Sequence, residues 1–106
     1  MHLAAACYNG DVMSEQRRLS AIMFTDMVSF TKRMARDETG TLALIDEQNA
    51  LMRERIEARG GRILKFIGDA VMAEFPSAVA AAECALSIQN FLRELNRERP
   101  PETQIV

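Results

Sequence analysis

The feature that most constrains the fold of this chain is a pair of short apolar runs separated by a Gly-Asp dipeptide. The first run spans residues 62–67 and the second spans residues 70–75, with Gly68 and Asp69 between them. Six residues is a usual strand length, and two residues that include a glycine are a common hairpin connection. The segment therefore predicts a tight antiparallel β-hairpin around which the other elements must be arranged.

A further strand and a helical region are predicted before the hairpin. Residues 19–25 form a short apolar run that is compatible with a buried strand, and the run ends at Asp26. A short helix can begin within residues 27–34, and residues 37–41 offer caps for a longer helix that Gly60-Gly61 ends. The apolar face predicted for the longer helix, interrupted by one asparagine, consists of Leu42, Ile45, Asn49, Met52 and Ile56.

A third helix and a last strand are predicted after the hairpin. Pro76-Ser77 marks the entry to the helix, and Pro100-Pro101 interrupts the chain after it. Residues 104–106 can open one more strand. The apolar stripe expected of the third helix consists of Ala81, Cys84, Ala85, Ile88, Phe91, Leu92 and Leu95.

The predicted order of elements is β-α-β-β-α-β, which is the ferredoxin-like plan of an α+β domain with its helices on one face of the sheet. The crossover rule makes the first two strands parallel, and the third strand fills the gap between them in antiparallel orientation. The start of the third strand then lies beside the end of the first. Because Asp26 ends the first strand and Asp69 precedes the third, we expect the two carboxylates to meet at one edge of the sheet.

Two neighbouring carboxylates are suited to a hard divalent cation. Mg²⁺ and Mn²⁺ prefer oxygen ligands, and Mg²⁺ is commonly held between one or two carboxylates and substrate phosphates. Residues 27–31 open a helix directly after Asp26, and a helix N-terminus is a natural anion site. Taken singly, each signal has a simpler explanation. Asp26 can be a helix cap, Asp69 a turn residue, and Lys65 a solvated lysine on an edge strand.

Composition limits the other classes of function. The chain has 106 residues, enough for one domain, and its 13 Lys and Arg against 15 Asp and Glu give a net charge of −2. No broad basic field is expected, which argues against nucleic acid as a partner. No apolar run approaches the roughly 20 residues of a membrane-spanning helix. Residues 1–15 lack periodicity and predict a flexible leader, and the cysteines lack zinc-site spacing, so we expect a reduced, cytoplasmic protein.

Two segments together carry a family resemblance. The first, from Ala21 to Thr31, has the sequence AIMFTDMVSFT, and the second, from Lys65 to Phe75, has the sequence KFIGDAVMAEF. With these segments, residues 16–106 resemble the N-terminal half of the catalytic domain of class III adenylate and guanylate cyclases of the bacterial type. The first segment is similar to the metal-binding strand and phosphate loop of that family, and the second is similar to its hairpin.

The resemblance implies roles for individual residues. Asp26 and Asp69 would be the catalytic carboxylates that bind two Mg²⁺ or Mn²⁺ ions, helped by the backbone carbonyl of Met27. One ion would activate the ribose 3′-hydroxyl of ATP and the other would hold the triphosphate, so that cyclic AMP forms and pyrophosphate leaves. The loop that would bind the triphosphate consists of Met27, Val28, Ser29, Phe30 and Thr31.

Lys65 matches the position of a base-reading lysine in adenylate cyclases. A lysine can donate a hydrogen bond to N1 of adenine but not usefully to the protonated N1 of guanine, which favours ATP. In the family the metal-binding carboxylates come from one chain, whereas the base-reading and transition-state residues come from the other. The expected partners are therefore ATP and either a second copy of this chain or a complementary cyclase chain.

The sequence ends about halfway through the usual domain of the family, before the helix that carries its transition-state asparagine and arginine. We therefore expect a fragment that is incomplete for catalysis by itself, and the sequence leaves open whether it is an active enzyme. Two alternatives also stay open. One is a non-catalytic dimerisation or regulatory module with a cyclase-like surface. The other is a different palm-fold cyclase such as a diguanylate cyclase, although that class expects two glycines directly before its acidic pair.

Overall fold

The computed structural model describes the backbone of residues 2–11 and 17–106, with side chains from Ser20 onward. Its strands are β1 (His2–Asp11), β2 (Arg17–Asp26), β3 (Arg62–Ile67) and β4 (Ala70–Phe75). Its helices are α1 (Phe30–Arg36), α2 (Glu38–Ala58), α3 (Ala78–Asn96) and a short 3₁₀ helix (Pro101–Thr103). The strands form one sheet, against which α2 and α3 pack.

The sheet order puts the hairpin where the sequence predicts it. The strands are ordered β1-β2-β4-β3, and β4 runs antiparallel to both β2 and β3. β2 and β3 are therefore parallel to each other with β4 between them, which confirms the predicted α+β, ferredoxin-like crossover. The hairpin turn depends on Gly68, whose φ of 56° lies in the left-handed region that glycine adopts without steric cost.

β1 is the outer neighbour of β2. The two strands pair antiparallel, from His2 opposite Asp26 to Asp11 opposite Arg17. The sequence predicts a flexible leader over residues 1–15, whereas the structure has residues 2–11 in this strand; residues 1 and 12–16 lie outside the described part of the chain. The difference arises because the backbone donors and acceptors at the outer edge of β2 need partners, and residues 2–11 supply them by pairing with this strand.

The segment after the 3₁₀ helix also differs from the prediction. Residues 104–106 are predicted to open a strand, but the structure has them outside the sheet. The Asn96 side chain binds this segment twice: Nδ2 donates to the Ile105 carbonyl at 2.8 Å, and Oδ1 accepts from the Ile105 amide at 2.9 Å. The Val28 amide donates to the Val106 carbonyl at 2.8 Å. Because β1 already pairs with the edge of β2, these contacts replace a strand ladder.

The hydrophobic core lies between the helices and one face of the sheet. Alternate residues of β2 and β4 point into it, including Met23, Val71 and Phe75. The stripe predicted for α3 faces the same core, with Cys84 and Ile88 fully buried. Burial of large apolar side chains on one face of each element is the main favourable term for such a fold.

The buried face of α2 is rotated from the predicted one. Leu42 is 46% exposed, and Asn49 is only half-buried. The observed face consists of Thr41, Leu44, Ile45, Gln48, Met52 and Ile56. Both sets of positions follow steps of three and four residues, so helical periodicity does not distinguish them. The difference matters because a glutamine rather than the asparagine is buried beneath the sheet.

Gly61 permits close contact between the end of α2 and the sheet. A Cβ atom at this position would lie 2.5 Å from Cε1 of Phe75 and 2.8 Å from Cγ2 of Ile56. The Gly61 amide donates to the Ile56 carbonyl at 2.9 Å, which closes the last turn of the helix. The predicted end of the helix at Gly60-Gly61 is thus confirmed. A larger residue at position 61 would clash with Phe75 and Ile56.

We predict that Asn96→Ala destabilises the fold, because it removes both hydrogen bonds to Ile105 and leaves partly buried backbone groups unpaired. The expected decrease in the free energy of unfolding is about 1–3 kcal/mol, measured by urea denaturation. Asn90→Ala, at an exposed position of the same helix, is the matched control and should change stability by less than about 0.5 kcal/mol. Equal effects of the two substitutions would contradict the contact.

Candidate functional site

The two predicted acidic residues lie at the same end of the sheet. Thr25 pairs with Val71 in the β2–β4 register, so Asp26 lies beside the start of β4, which directly follows Asp69. The Met27 amide donates a hydrogen bond to Oδ2 of Asp69 at 2.8 Å. This bond joins two segments that are 42 residues apart in the sequence.

A second hydrogen bond holds the turn from the core side. Nε2 of Gln48 donates to the backbone carbonyl of Asp69 at 3.0 Å, and the Gln48 side chain is fully buried. The face predicted from sequence has Asn49 as its polar residue and omits Gln48. A signal for Gln48 is nonetheless present, since it lies four residues after Leu44 and four before Met52, both of which are buried.

The oxygen atoms at this end of the sheet fit a cation of the magnesium type. Asp26 and Asp69 supply carboxylates, and the Met27 carbonyl follows Asp26 directly. One Asp69 oxygen accepts from the Met27 amide, but a carboxylate has about four lone-pair sites and can bind a cation as well. Within the described residues there is no cluster of three or more His, Cys, Asp or Glu side chains suited to a metal. A cation here would take its remaining ligands from water or substrate phosphates, as Mg²⁺ commonly does.

The first two amides of the predicted phosphate loop already donate to groups of the chain itself. The Met27 amide binds Asp69, and the Val28 amide binds the Val106 carbonyl. These bonds fix the path of the loop as it leaves β2. They also mean that the Met27 and Val28 amides are not free donors for a phosphate in this conformation.

The remaining loop residues lead into helix α1. Ser29 has φ 57° and ψ 34°, a left-handed conformation that costs a non-glycine residue roughly 1 kcal/mol. Helix α1 begins at Phe30, and the first N–H groups of a helix have no acceptor within it. Of the five predicted loop residues, Ser29, Phe30 and Thr31 therefore have the amides best suited to bind an anion.

A cleft of about 520 Å³ lies beside this loop, between α1, the start of α2 and the 3₁₀ helix. The residues that line it include the cationic Lys32, Arg33 and Arg36 of α1 and the acidic Asp37 and Glu102. The Arg33 guanidinium donates to the Gln104 carbonyl at 2.7 Å, so it also fixes the segment that follows the 3₁₀ helix. Lys32 and Arg36 are exposed and contribute positive charge next to the loop.

Lys65 lies on β3, which is an edge strand of the sheet and is separated from β2 by β4. It is exposed on β3, opposite Met72 of β4, which in turn is opposite Phe24 of β2. Two strand spacings, about 10 Å, therefore separate Lys65 from the strand that carries Asp26. Within one chain, the predicted base-reading residue is thus two strands from Asp26, whereas Asp69 lies in the turn of its own hairpin.

The sheet face away from the core carries exposed apolar side chains, and we define this open face by Ile22, Phe24, Lys65, Ile67 and Met72. Phe24 is 44% exposed and Ile67 is 53% exposed. Side chains alternate along a strand, so these residues share the face that α2 and α3 do not cover. Exposed apolar side chains grouped on one face are typical of an interaction surface.

The buried Cys84 lies outside the site. Burial raises the pKa of the Cys84 thiol, and the positive charges of Arg59 and Arg55 oppose this shift. The thiol is buried and lies 3.6 Å from the Arg55 carbonyl, which is the environment of a packed structural cysteine.

No helix in the part of the chain described by the structure is long and apolar enough to cross a membrane.

No family model matches this chain. Its sequence is similar to the protein named "Putative adenylate cyclase 3" from Rhizobium meliloti (strain 1021), with 37% identity over 94 residues that cover 88% of this chain and 16% of that protein. It is 40% identical over 73 residues to the "Adenylate cyclase" of Streptomyces coelicolor (strain ATCC BAA-471 / A3(2) / M145), covering 66% of this chain and 18% of that protein. The "Adenylate cyclase" of Glutamicibacter nicotianae is 38% identical over 79 residues, which cover 74% of this chain and 19% of that protein. The chain spans 16–19% of the length of these curated relatives.

A solved structure described as "Structure of a bacterial light-regulated adenylyl cyclase" has a similar fold. The TM-score is 0.73, and the similarity covers 100% of this chain and 51% of that chain. The sequence identity is 23%, so this comparison supports the fold rather than the chemistry. The β-hairpin and crossover described above therefore occur together in a protein of known structure.

We predict that Asp69→Ala destabilises the chain more than Asp69→Asn. Asparagine keeps an oxygen that can accept from the Met27 amide, whereas alanine leaves that amide without its partner. The expected difference in the free energy of unfolding is about 1–3 kcal/mol, measured by urea denaturation. Asp46→Ala, at an exposed position of α2, is the control and should have little effect. Equal stabilities of the two Asp69 variants would show that the link does not stabilise the fold.

Proposed function

The chain carries part of a class III adenylate cyclase domain, and on this premise we propose that it supplies the metal-binding side of an active site that converts ATP to cyclic AMP and pyrophosphate. The observation that carries the proposal is the hydrogen bond between the Met27 amide and Asp69, because it holds two acidic segments at one edge of the sheet. The names of the three relatives, which are 37–40% identical, support the choice of reaction.

Asp26 and Asp69 would hold two divalent ions together with the Met27 carbonyl. Bound Mg²⁺ or Mn²⁺ supplies positive charge that makes the ribose 3′-hydroxyl more acidic and neutralises the triphosphate. The 3′ oxygen forms a bond to the α-phosphorus while the bond from that phosphorus to the bridging oxygen breaks. Pyrophosphate leaves with the bridging oxygen, and the hydroxyl proton passes to solvent. The contribution of this chain is to fix the two carboxylates and the adjoining loop before the substrate arrives.

The triphosphate would bind along the loop of Met27 to Thr31. Within it, the amides of Ser29, Phe30 and Thr31 are the proposed phosphate donors, because those of Met27 and Val28 donate within the chain. Lys32 and Arg36 add positive charge at the neighbouring cleft. A triphosphate carries several negative charges, so both backbone donors and nearby cations would favour its binding.

The open face is the proposed contact surface for a second cyclase chain, which can be another copy of this one. It carries the exposed apolar side chains of Phe24 and Ile67 beside the charged Lys65, and the helices do not cover it. Lys65 is exposed on this face, so it can contact adenine in a site shared between two chains. In such a site the lysine donor favours adenine and therefore ATP, and the exposed apolar side chains favour a dimer as the active form.

The proposed active form also needs residues beyond those in this sequence, because the chain covers 16–19% of its curated relatives and 51% of its structural neighbour. The chain alone is therefore proposed to be incomplete for catalysis. A role that uses ATP implies a cytoplasmic location. The similarity to adenylate cyclases favours this reaction over that of a diguanylate cyclase, and a non-catalytic module remains the outcome that a negative complementation experiment would support.

We predict that the chain restores activity to an adenylate cyclase domain whose own metal-binding aspartates have been changed to asparagine. Each protein alone should produce little cyclic AMP from ATP and Mn²⁺, because one lacks the transition-state residues and the other lacks the metal-binding carboxylates. The mixture should produce cyclic AMP well above both blanks, measured by chromatographic separation of the product from ATP.

Three variants of the chain sharpen this experiment. Asp26→Asn and Asp69→Asn should each abolish the restored activity, whereas Asp46→Asn at an exposed position of α2 should retain it. Restoration by all three variants would contradict the metal-binding assignment. If the mixture forms a complex on size-exclusion chromatography but no cyclic AMP, the chain is a non-catalytic binding module.

A further inference from the structure

Gln48 is a fully buried polar side chain directly behind the hairpin turn. Its Nε2 donates to the backbone carbonyl of Asp69 at 3.0 Å. Its Oε1 is also buried, and no hydrogen-bond donor among the described residues reaches it. The amide nitrogen of Gln48 is therefore bonded to the residue that carries the candidate metal-binding carboxylate. The amide oxygen has no hydrogen-bond partner among the described residues.

The unpaired oxygen makes Gln48 an unfavourable choice for stability alone. A buried polar atom without a partner destabilises the folded state, and this cost opposes the stabilisation gained from the bond to the Asp69 carbonyl. The flanking positions of the same helix face, Leu44 and Met52, are apolar. The contact with Asp69 is thus the feature that a leucine or methionine at position 48 could not supply.

Two hydrogen bonds fix Asp69 from opposite ends of the residue. Gln48 holds its backbone carbonyl, and the Met27 amide holds Oδ2 of its side chain. The first bond anchors the turn to α2, and the second directs the carboxylate toward the end of β2. Without the anchor, the two-residue turn between β3 and β4 would keep its strand pairing but lose a restraint on the orientation of Asp69.

We infer that Gln48 is a positioning residue, which holds Asp69 in the orientation that binds a divalent cation together with Asp26. This inference rests on the proposed function, because the cation it concerns is the one proposed for the acidic pair. Gln48 does not itself contact the cation or the substrate. Partners that orient a metal ligand commonly change metal affinity by one to two orders of magnitude when removed.

The test substitution is Gln48→Met, which preserves the length and approximate volume of the side chain but removes the amide donor and the unpaired oxygen. We expect the midpoint of urea denaturation to change little, because removal of the unpaired oxygen offsets loss of the bond to the Asp69 carbonyl. The dissociation constant for Mn²⁺, measured by titration calorimetry on the full chain without nucleotide, should increase roughly tenfold. Amide hydrogen exchange at Met27 should become several-fold faster, because its acceptor on Asp69 is held less firmly.

Gln89→Met is the matched control, since Gln89 is a half-buried glutamine on the other long helix. It should leave both the Mn²⁺ affinity and the exchange rate of the Met27 amide unchanged. Asp69→Asn serves as the reference for loss of the carboxylate itself and should bind Mn²⁺ more weakly than either glutamine variant.

The outcomes separate this inference from the proposed function. If the unsubstituted chain does not bind Mn²⁺, or if Asp69→Asn binds it as tightly, the proposed metal site fails, while the exchange rate of the Met27 amide still decides whether Gln48 positions Asp69. If those controls behave as expected but Gln48→Met binds Mn²⁺ with unchanged affinity and leaves Met27 exchange unchanged, the positioning role is wrong. A lower denaturation midpoint with unchanged affinity would assign Gln48 a purely structural role.

Discussion

The hydrogen bond from the Met27 amide to the Asp69 carboxylate is the contact on which the candidate site depends, because it joins the end of β2 to the turn between β3 and β4. It can form only because the crossover places β4 beside β2 in antiparallel orientation. Gly68 allows the tight turn, and Gln48 ties that turn to α2. A register shift of one residue would reverse the faces of the strand and move Asp69 from the end of β2.

The topology that brings Asp26 and Asp69 together could be predicted from sequence, because apolar runs and turn residues determine the order of elements and the crossover rule does the rest. Helical periodicity alone does not select Gln48 over Asn49, since both lie on faces with steps of three and four residues. Nor could the partners of the outer edge of β2 be predicted. Residues 2–11 pair there and residues 104–106 do not, a choice made by long-range pairing and by the Asn96 side chain.

The distribution of residues over the two faces of the sheet separates the contacts that fold the chain from those proposed for a second chain. The inner face, with α2 and α3, buries the apolar core and holds Asp69 through Gln48. The open face carries Phe24, Met72 and Lys65 and is available for a second chain in the proposed function. Folding and the proposed metal binding thus depend on contacts within one chain, whereas the proposed base recognition depends on association. A change in one set of contacts need not alter the other.

The most direct test of the account is to titrate Mn²⁺ into the isotopically labelled chain and record the amide resonances by NMR. A paramagnetic ion broadens the signals of nuclei close to it. If one cation binds between the end of β2 and the hairpin turn, the amides of Met27 and Asp69 should broaden together at the lowest Mn²⁺ concentrations, and Asp26→Asn should abolish the effect at both. Broadening at only one of these amides, or first at the exposed acidic residues of α2, would contradict a shared site.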